Sequence, residues 1–321
     1  MVSTTPPSTA SAQVGQLAPA GTGRRYWPTR QERKRTAMAM LFISPWIIGF
    51  LGFMVYPFYY LLRISFTSYS GFGDPLWIGL DNYQRMLDDA VFWTSVQNTL
   101  YYMALAVPIG IVMAMSLALC MNQELPEIPL YRVLIYLPSV LPLFAISLIA
   151  IAMLSPTTGI VNELFRTVGW NPPNWLGNPD YAKIAIVGLA QYGAGQTALI
   201  FLAGLKGIPI HLYEAAKLDG AGTWNRFWNV TLPLMTPILL FNLIIGISSG
   251  LQVFTQAYIM TKGGPANATL FYVFYLYRNA FQYGGQIGYG FAMGVVLFIV
   301  TFLLAGLVFY TSNRWVHYDL T

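Results

Sequence analysis

Six long apolar stretches without a charged residue restrict most strongly how this chain can fold. Each has about 20 residues or more, the length that a helix needs to cross the hydrocarbon core of a membrane. Barrel strands would instead alternate apolar and polar residues over about ten positions, whereas 238–247 is apolar nearly throughout. The sequence therefore predicts an all-α integral membrane protein with six transmembrane helices, at 37–62, 98–121, 133–154, 184–205, 237–260 and 287–312.

The composition excludes most other classes of protein. Apolar residues make up 56% of the chain and charged residues only 9%, against roughly 25% charged in a soluble protein. Disordered and nucleic-acid-binding proteins need more charge than this. With one Cys and two His, the chain can form neither a disulfide scaffold nor a Cys/His metal site, and we predict no metal site.

The ends of the chain differ from the apolar middle. Residues 1–36 are rich in Ser, Thr, Pro, Gly and Ala and end in six basic residues between Arg24 and Arg35. This composition predicts a disordered basic cytoplasmic tail. The first apolar stretch is longer than the core of a cleaved signal peptide, so we expect it to remain as an anchor. A transmembrane domain over 37–315 and a short C-terminus, 316–321, complete the predicted organisation.

The distribution of Lys and Arg predicts the orientation in the membrane. With the tail inside the cell, 11 of the 17 Lys and Arg residues are cytoplasmic and six are outside, as the positive-inside rule requires. Without the tail the count is five against six, so the tail carries the whole signal. Both termini and the loop 206–236 are then predicted to be cytoplasmic, in a multi-pass protein of the cell membrane.

The predicted spans contain no Asp, Glu, Lys, Arg or His. Transporters coupled to ion gradients usually place ionisable groups near the middle of the membrane, and an intramembrane enzyme would need acid–base groups. The chain also contains no Gly-Lys dipeptide, so it lacks the phosphate-binding loop of ATPases. We therefore predict a non-catalytic protein whose energy source, if it transports a solute, is another polypeptide.

The cytoplasmic loop 206–236 predicts two short helices separated by a sharp turn. Ile210–Leu218 are helix formers that follow a proline, and Gly220 can end that helix in the left-handed conformation. Thr223 is a plausible N-cap for a second helix, which Leu232-Pro233 should end. An amphipathic loop lying on the membrane, with three aromatic residues at the surface, explains the same residues. Local physics leaves both interpretations open.

A spaced motif in this loop resembles that of a known family. It matches the EAA loop of permease subunits of binding-protein-dependent ABC importers in seven positions, with Val replacing the commoner Ile. At roughly one chance in ten per position, accidental agreement is about one in ten million per start. The motif consists of Glu214, Ala215, Ala216, Gly220, Val230, Leu232 and Pro233.

Other segments look like the carbohydrate-uptake branch of this family, similar to the permeases of sugar and glycerol-phosphate importers. The resemblance covers about residues 41–315. One departure is Gln191-Tyr192, where related chains commonly have Trp, and it weakens any transfer of a relative's substrate. The matching segments are 79–83, 98–100, 261–265, 268–269, 280–281 and 288–289.

The resemblance implies an assembly and a role for each residue of the loop. Two permease subunits, usually different chains, would form the pathway, two ATPase subunits would hold ATP and magnesium, and an extracytoplasmic sugar-binding protein would dock outside. Glu214 would contact the ATPase, Ala215 and Ala216 would permit close approach, and Gly220 would form the turn. Leu232 and Pro233 would start the next span. No cofactor is expected on this chain, and its other expected partners are the saccharide substrate and membrane lipid, but no nucleic acid.

The loop contains one further acidic candidate. Asp219 could orient the loop through backbone amides, or it could be a solvated carboxylate at the end of a helix.

Polar residues in the fifth predicted span indicate a candidate substrate pathway. At 100° per residue, Asn242, Ser249, Gln252 and Gln256 fall within an arc of roughly 80°. Such a stripe should face protein or water rather than lipid. Amides and hydroxyls could recognise the hydroxyls of a neutral sugar, with Tyr258 as a nearby aromatic. Hydrogen bonding between helices, or packing for the tyrosine, explains them equally well.

The fourth predicted span offers further candidates. Gln191, Tyr192 and Gln196 lie among three glycines. This pattern indicates either a local break in the helix that exposes polar groups to substrate, or close packing of small residues against another helix.

Four functions compete at this point. The motif and the uncharged spans favour a permease that imports a neutral sugar or oligosaccharide. A permease for glycerol phosphate or another solute has the same architecture, but a phosphate pathway should favour Arg or Lys. A stand-alone secondary transporter would have no need for the loop motif. A membrane glycosyltransferase needs carboxylates at an aqueous site, and the only outside cluster, which we interpret as solvated, comprises Asp74, Asp81, Asp88 and Asp89.

Overall fold

The structure, a computed structural model, describes residues 30–317 apart from the side chain of residue 32. Helices make up most of this part of the chain, and a two-residue antiparallel pair of strands, β1 (Thr67–Ser68) and β2 (Leu76–Trp77), is the only sheet in it. The α-helices are α1 (Arg30–Phe50), α2 (Tyr56–Ile64), α3 (Asp81–Asp88), α4 (Ala90–Met121), α5 (Ile128–Val140), α6 (Leu143–Met153), α7 (Ile160–Thr167), α8 (Pro179–Ala190), α9 (Ala194–Gly207), α10 (Ile210–Leu218), α11 (Thr223–Arg226), α12 (Leu232–Leu251), α13 (Thr255–Met260), α14 (Tyr272–Tyr277) and α15 (Ile287–Ser312).

The prediction of a six-span helical membrane protein agrees with the helix lengths. Within residues 30–317, five helical stretches are long and apolar enough to cross a membrane, and a bent pair of helices gives a sixth if it counts as one span. The five are Arg33–Ile64, Ala90–Met121, Pro179–Gly207, Thr223–Met260 and Ile287–Ser312. All but the last begin before the predicted bounds, and the first and third of them also end a few residues later than predicted.

The chain divides into two compact units, one up to Pro57 and one from Phe58 onward. In the first unit α1 begins at Arg30, so residues 30–36 are helical although the sequence predicted them as part of a disordered tail. Once the apolar run has formed a helix, each further basic residue adds a backbone hydrogen bond, because helix growth is cooperative. The rest of the predicted tail and residues 318–321 lie outside the described part of the chain.

The third predicted span, 133–154, is not one straight helix. It is formed by α5 and α6, which meet at an angle of 94°. Leu141, between them, has an extended backbone (φ −70°, ψ 138°). The residue before a proline is pushed out of the helical region by the proline ring, and Pro142 follows directly. The prediction of a continuous helix was wrong because it passed over this Leu-Pro step.

Two other prolines do not end a helix. The π-helical segments Leu51–Val55 and Phe227–Thr231 each lie two residues before a proline, Pro57 and Pro233. In both, the next amide N–H donates five residues back, from Tyr56 to Leu51 and from Leu232 to Phe227. A π-turn widens the helix locally, which removes the clash between a proline ring and the carbonyl four residues earlier. The expected end of the second loop helix at Leu232-Pro233 was therefore wrong, and the chain continues into α12.

The buried core of the second unit consists of two clusters. One contains Phe271, Phe274 and Tyr289, and the other contains Phe201 and Met235. The helix α4 contributes to both, with its first half in the former cluster and its last two turns in the latter. The segment of α4 between these contributions lines the cavity described below.

A close approach between the backbones of α9 and α5 provides a test of how the fourth span packs. A Cβ atom built on Gly195 would overlap the carbonyl oxygen of Ile135, whereas one built on Gly188 meets nothing within 4 Å. We expect Gly195→Ala to lower the free energy of unfolding by about 1–3 kcal/mol, since the backbone of α5 must move. Thermal unfolding of the purified protein should show a lower Tm for Gly195→Ala, and an equal or slightly higher Tm for the control Gly188→Ala, where the methyl group has space and favours the helix. Equal effects of the two variants would contradict this packing.

Candidate functional site

The loop 206–236, called the coupling segment below, begins with a helix that ends in a Schellman motif. After α10, Gly220 has a left-handed backbone (φ +79°). Its N–H donates to Lys217 O at 3.1 Å, and Ala221 N–H donates to Ala216 O at 2.9 Å. These two bonds satisfy carbonyl groups that the end of the helix leaves unpaired. The predicted helix and the predicted glycine turn are both confirmed.

The start of the second helix differs by one residue from the prediction. Gly222 is the N-cap of α11, and Thr223 already has helical geometry. The Thr223 hydroxyl is near Arg226 Nη2 (3.4 Å) and does not accept from a backbone amide. The predicted N-cap was wrong because the glycine turn lets the chain enter the helix one residue earlier.

The coupling segment presents an apolar surface with a carboxylate beside it. Leu218 is 89% exposed and Trp224 is 75% exposed. Glu214 is also exposed and makes no hydrogen bond or ion pair within residues 30–317. A hydrogen bond of 3.0 Å between the hydroxyls of Tyr213 and Thr231 holds α10 against the π-helical segment. The surface is therefore held in place by the protein itself and does not depend on Glu214.

A cavity of about 380 Å³ lies among α4, the fourth span and the fifth span. Its volume falls in the range of ligand pockets, about 300–1,000 Å³. No Asp, Glu, Lys, Arg or His of the described residues lines it. Its polar groups are all neutral, and they belong to Tyr102, Gln191, Thr197, Asn242, Ser249, Gln252, Thr255 and Gln256.

Both spans that border the cavity are interrupted there. A 3-10 turn, Gln191–Gly193, separates α8 from α9, and residues 252–254 separate α12 from α13. The structure thus has the local break in the fourth span that was one of the two predicted interpretations. Interrupted helices bring backbone and side-chain polar groups to the middle of a membrane, where transporters place their binding sites.

The amides at the cavity keep unused hydrogen-bonding capacity. Asn242 Nδ2 donates to Ile238 O of its own helix at 2.9 Å, and the Asn242 Oδ1 atom has no hydrogen-bond partner among the residues that the structure describes. Gln256 is only 7% exposed, and its side chain forms no hydrogen bond within the described residues. Gln191 Nε2 donates to Val187 O at 3.0 Å and to Ala106 O at 3.3 Å. A ligand with hydroxyl groups could form hydrogen bonds with the amide atoms of Asn242 and Gln256 that have no partner.

The structure brings five of the eight predicted pathway residues to this cavity. Tyr192, Gln196 and Tyr258 do not line it. The Tyr258 ring stacks on Phe254, which does line the cavity, with ring centroids 5.3 Å apart. The polar stripe of the fifth span therefore faces the cavity. Its residues after the break at 252–254 belong to a separate helix, α13.

The interpretation of the acidic cluster as solvated was wrong for Asp89. Its carboxylate caps α4 by accepting from Val91 N and Phe92 N at 2.9 and 3.1 Å. It also accepts from the hydroxyls of Tyr275 (2.5 Å) and Tyr289 (2.8 Å). Sequence reasoning missed this cluster because the tyrosines follow Asp89 by 186 and 200 residues.

These contacts change the acidity of the groups involved. Burial alone would raise the pKa of Asp89, but the hydrogen bonds from the two tyrosines and the two amides outweigh it, so the pKa of Asp89 is lowered from 3.8. Burial and the bond to this carboxylate raise the pKa of Tyr275 to about 12. The cluster is therefore ionised at Asp89 and neutral at Tyr275 at neutral pH.

Asn98 and Thr99 belong to one of the segments that resemble the carbohydrate-uptake branch of the family. Their side chains hold the loop 261–271, between α13 and α14, in place. Asn98 Nδ2 donates to Asn267 O at 2.8 Å, and Tyr272 N donates to the Thr99 hydroxyl at 2.8 Å. Lys183 Nζ donates to Asn98 Oδ1 at 3.1 Å. This lysine lies within the fourth helical stretch, which begins earlier than predicted, and the sequence analysis did not identify it as a partner of Asn98.

Comparison with known proteins gives the family. Residues 106–317 match the family described as binding-protein-dependent transport system inner membrane component. The chain belongs to this family. The permease therefore has the fold predicted from the EAA motif, and it is an inner-membrane component of a transport system.

Curated relatives cover nearly the whole permease. A probable ABC transporter permease protein, YesP of Bacillus subtilis (strain 168), is 40% identical over 91% of this chain and 95% of its own length. The lactose transport system permease protein LacF of Rhizobium radiobacter is 35% identical, over 85% and 93%. The arabinooligosaccharides transport system permease protein AraP of Bacillus subtilis (strain 168) is 31% identical, over 84% and 87%.

A solved structure supports the same fold. One chain of a bacterial ABC transporter involved in the import of the acidic polysaccharide alginate superposes on the permease with a TM-score of 0.79. The two are 25% identical, and the match covers 88% of this chain and 98% of the other.

Proposed function

We propose that this permease forms the pathway of an ATP-driven importer of a neutral sugar or oligosaccharide. The observation that carries the proposal is the cavity at two interrupted spans, whose polar groups are hydroxyls and amides without a charge. Such groups both donate and accept hydrogen bonds, as the hydroxyls of a saccharide require. Permeases named for lactose and for arabinooligosaccharides are among its relatives.

A charged substrate fits this cavity less well. The structural neighbour belongs to a transporter of an acidic polysaccharide, and glycerol phosphate is also anionic. A pathway for either substrate should offer Arg or Lys, and none lines the cavity among the described residues. A stand-alone secondary transporter driven by protons would need an ionisable group there, and the same lining lacks one.

The coupling segment is the proposed contact with separate ATPase subunits. Glu214 offers an unpaired carboxylate, and Ala215 and Ala216 allow a close approach of another chain. The Schellman motif at Gly220 holds Asp219 at the end of α10. Closure of the ATPase pair would then move the spans as rigid bodies, through the continuous helix that contains Leu232 and Pro233.

The orientation and partners follow from the same proposal. His317 N–H donates to the Thr236 hydroxyl at 2.9 Å, so residue 317 lies at the end of the bundle where α12 begins. With the coupling segment in the cytoplasm, the C-terminus is cytoplasmic, and the positive-inside rule places the N-terminus there too. The opposite end would meet the sugar-binding protein. A second permease would complete the pathway, and ATP and magnesium would bind to the ATPase subunits.

The test is reconstitution with the proteins encoded beside this permease. Co-expression with the candidate ATPase and second permease should give a stable complex. In vesicles, that complex should hydrolyse ATP faster when a saccharide-loaded binding protein is added. Robust uptake by this chain alone, driven by an ion gradient, would overturn the proposal.

The cavity amides provide a prediction within that complex. Asn242→Ala and Gln256→Ala should each lower saccharide uptake about tenfold, because each removes a hydrogen-bonding group that faces the substrate. The matched control is Gln196→Ala, which removes an exposed amide of the fourth span outside the cavity. Uptake assays on complexes of equal yield distinguish the positions. An effect of Gln196→Ala as large as that of Gln256→Ala would contradict this pathway.

A further inference from the structure

A run of aromatic side chains leads away from the cavity. Phe254, at the cavity wall, stacks on Tyr258 and lies 5.2 Å, centroid to centroid, from the ring of Tyr277. Tyr277 in turn lies 5.5 Å from Phe281. We call these four residues the aromatic ladder. Because the chain moves away from the coupling segment through α12 and α13, the ladder extends toward the opposite end of the bundle.

The ladder rests on a rigid base. Phe274 is only 1% exposed, and its ring packs at 5.7 Å from Phe254 and at 5.5 Å from Tyr258. The guanidinium carbon of Arg278 lies 4.7 Å from the centroid of this ring, and the same guanidinium donates a hydrogen bond to Lys262 O. These contacts hold Phe254 and Tyr258 against the core, while Tyr258 remains 39% exposed and Phe281, at the other end of the ladder, 62% exposed.

The backbone presents the outer end of the ladder. Phe281 lies in the π-helical segment Arg278–Gln282, which follows α14 directly. A π-turn shifts the direction of the side chains that follow it, and such turns occur often at functional sites. Here the turn keeps Phe281 in contact with Tyr277 while most of its surface remains open.

Two members of the ladder also offer free hydroxyl groups. Tyr277 packs against the core, and the hydroxyls of Tyr258 and Tyr277 form no hydrogen bond within the described part of the chain. The combination of apolar ring faces, free hydroxyls and continuity with the polar cavity suits a ligand that is itself both apolar and hydroxylated.

We propose that the aromatic ladder guides successive sugar rings of an oligosaccharide between the extracytoplasmic end and the cavity. Each aromatic face would stack on the C–H face of one sugar ring, while the tyrosine hydroxyls bond to its hydroxyls. This inference rests on the proposed function and adds a substrate class, because a ladder of several rings favours saccharides of several units. The occupant is the substrate, and not lipid or the second permease.

The experiment compares substrate lengths in the reconstituted importer. Probes are mono-, di- and longer saccharides of the lactose, arabino- and malto-oligosaccharide series, presented by the binding protein. The variant Tyr258→Leu/Phe281→Leu should lower uptake of tri- and longer saccharides about tenfold, while uptake of mono- or disaccharides falls less than about threefold. Tyr258→Phe should retain most uptake of the long substrates. The control Phe309→Leu removes an exposed ring of α15 outside the ladder.

The outcomes separate the two proposals. If the wild type takes up saccharides and the double variant takes them up equally well, the ladder is overturned and the proposed function stands. The same holds if the double variant loses uptake equally at every saccharide length, and in that case the rings serve assembly. No uptake of any saccharide by the wild type overturns the proposed function and the ladder together. If the double variant does not assemble, the single variant Phe281→Leu carries the same comparison, since this ring is mostly exposed.

Discussion

Reversal of the charge of Glu214 should release the permease from its ATPase. We expect Glu214→Lys to weaken the complex by at least about 2 kcal/mol, or roughly 30-fold in Kd, and to abolish ATP-driven uptake. The side chain is exposed and has no partner among residues 30–317 of the permease. The variant should therefore fold normally, and its whole effect should appear in association with the second protein.

Co-purification and thermal unfolding together test this prediction. Glu214→Lys should reach the membrane in normal yield, with an unchanged Tm in the absence of the ATPase, and should recover little ATPase on affinity purification. The control Glu124→Lys makes the same change at an exposed carboxylate that lies in another loop. A normal ATPase complex of Glu214→Lys would show that the carboxylate does not lie at the interface, and would remove the basis for coupling through this segment.

A second pair of variants tests the shape of the coupling segment separately from its charge. A Cβ atom on Gly220 or on Gly222 would meet nothing within 4 Å, so neither substitution creates a clash. Only Gly220 has a positive φ, which costs an alanine about 1 kcal/mol. Gly220→Ala should thus weaken the ATPase complex more than Gly222→Ala.

The helices and the coupling segment could be predicted because their signals are local. Apolar runs of sufficient length identify membrane spans by themselves, and the last of them, Ile287–Ser312, has the predicted bounds. The turn at Gly220 was also predictable, since only a few residue types adopt a left-handed backbone readily. The family resemblance depended on spacing within 20 residues, which needs no knowledge of the fold.

The interruptions of the helices could be predicted only in part. Prolines at 57, 142 and 233 have the same local signal, yet only the one at 142 separates two helices. The other two follow π-turns, and whether the chain forms such a turn depends on packing around it. The amide stripe was placed correctly by helical periodicity, but the break at 252–254 changes the direction of the residues after it, including Tyr258.

The residues that hold the bundle together across the sequence could not be predicted. Asn98 bonds to a carbonyl 169 residues away, and no pattern within a single helix indicates such a partner. The same holds for Asp89, one of four acidic residues in a short polar segment. The other three are exposed as predicted, and only the fold distinguishes them.

Removal of the Asp89 carboxylate should destabilise the permease more than any other surface substitution considered. Asp89→Ala leaves the hydroxyl of Tyr289, a residue that is only 2% exposed, without its acceptor, and it also removes the cap of α4. Unpaired buried groups and lost caps each cost about 1–3 kcal/mol. We expect a loss of about 3 kcal/mol and a Tm lower by roughly 5–10 °C. The neighbouring control Asp88→Ala, at an exposed carboxylate, should leave Tm unchanged.

The pH dependence of Tm distinguishes this role from simple packing. Because the pKa of Asp89 is lowered on folding, its ionised form stabilises the folded state at pH values above the unfolded pKa of 3.8. That contribution is lost as the pH falls through the lower folded pKa. The difference in Tm between wild type and Asp89→Asn should thus be constant from neutral pH to about pH 5 and narrow below pH 4. A difference that stays the same at low pH would show that the carboxylate charge contributes nothing, and that the two tyrosines hold the helices by packing alone.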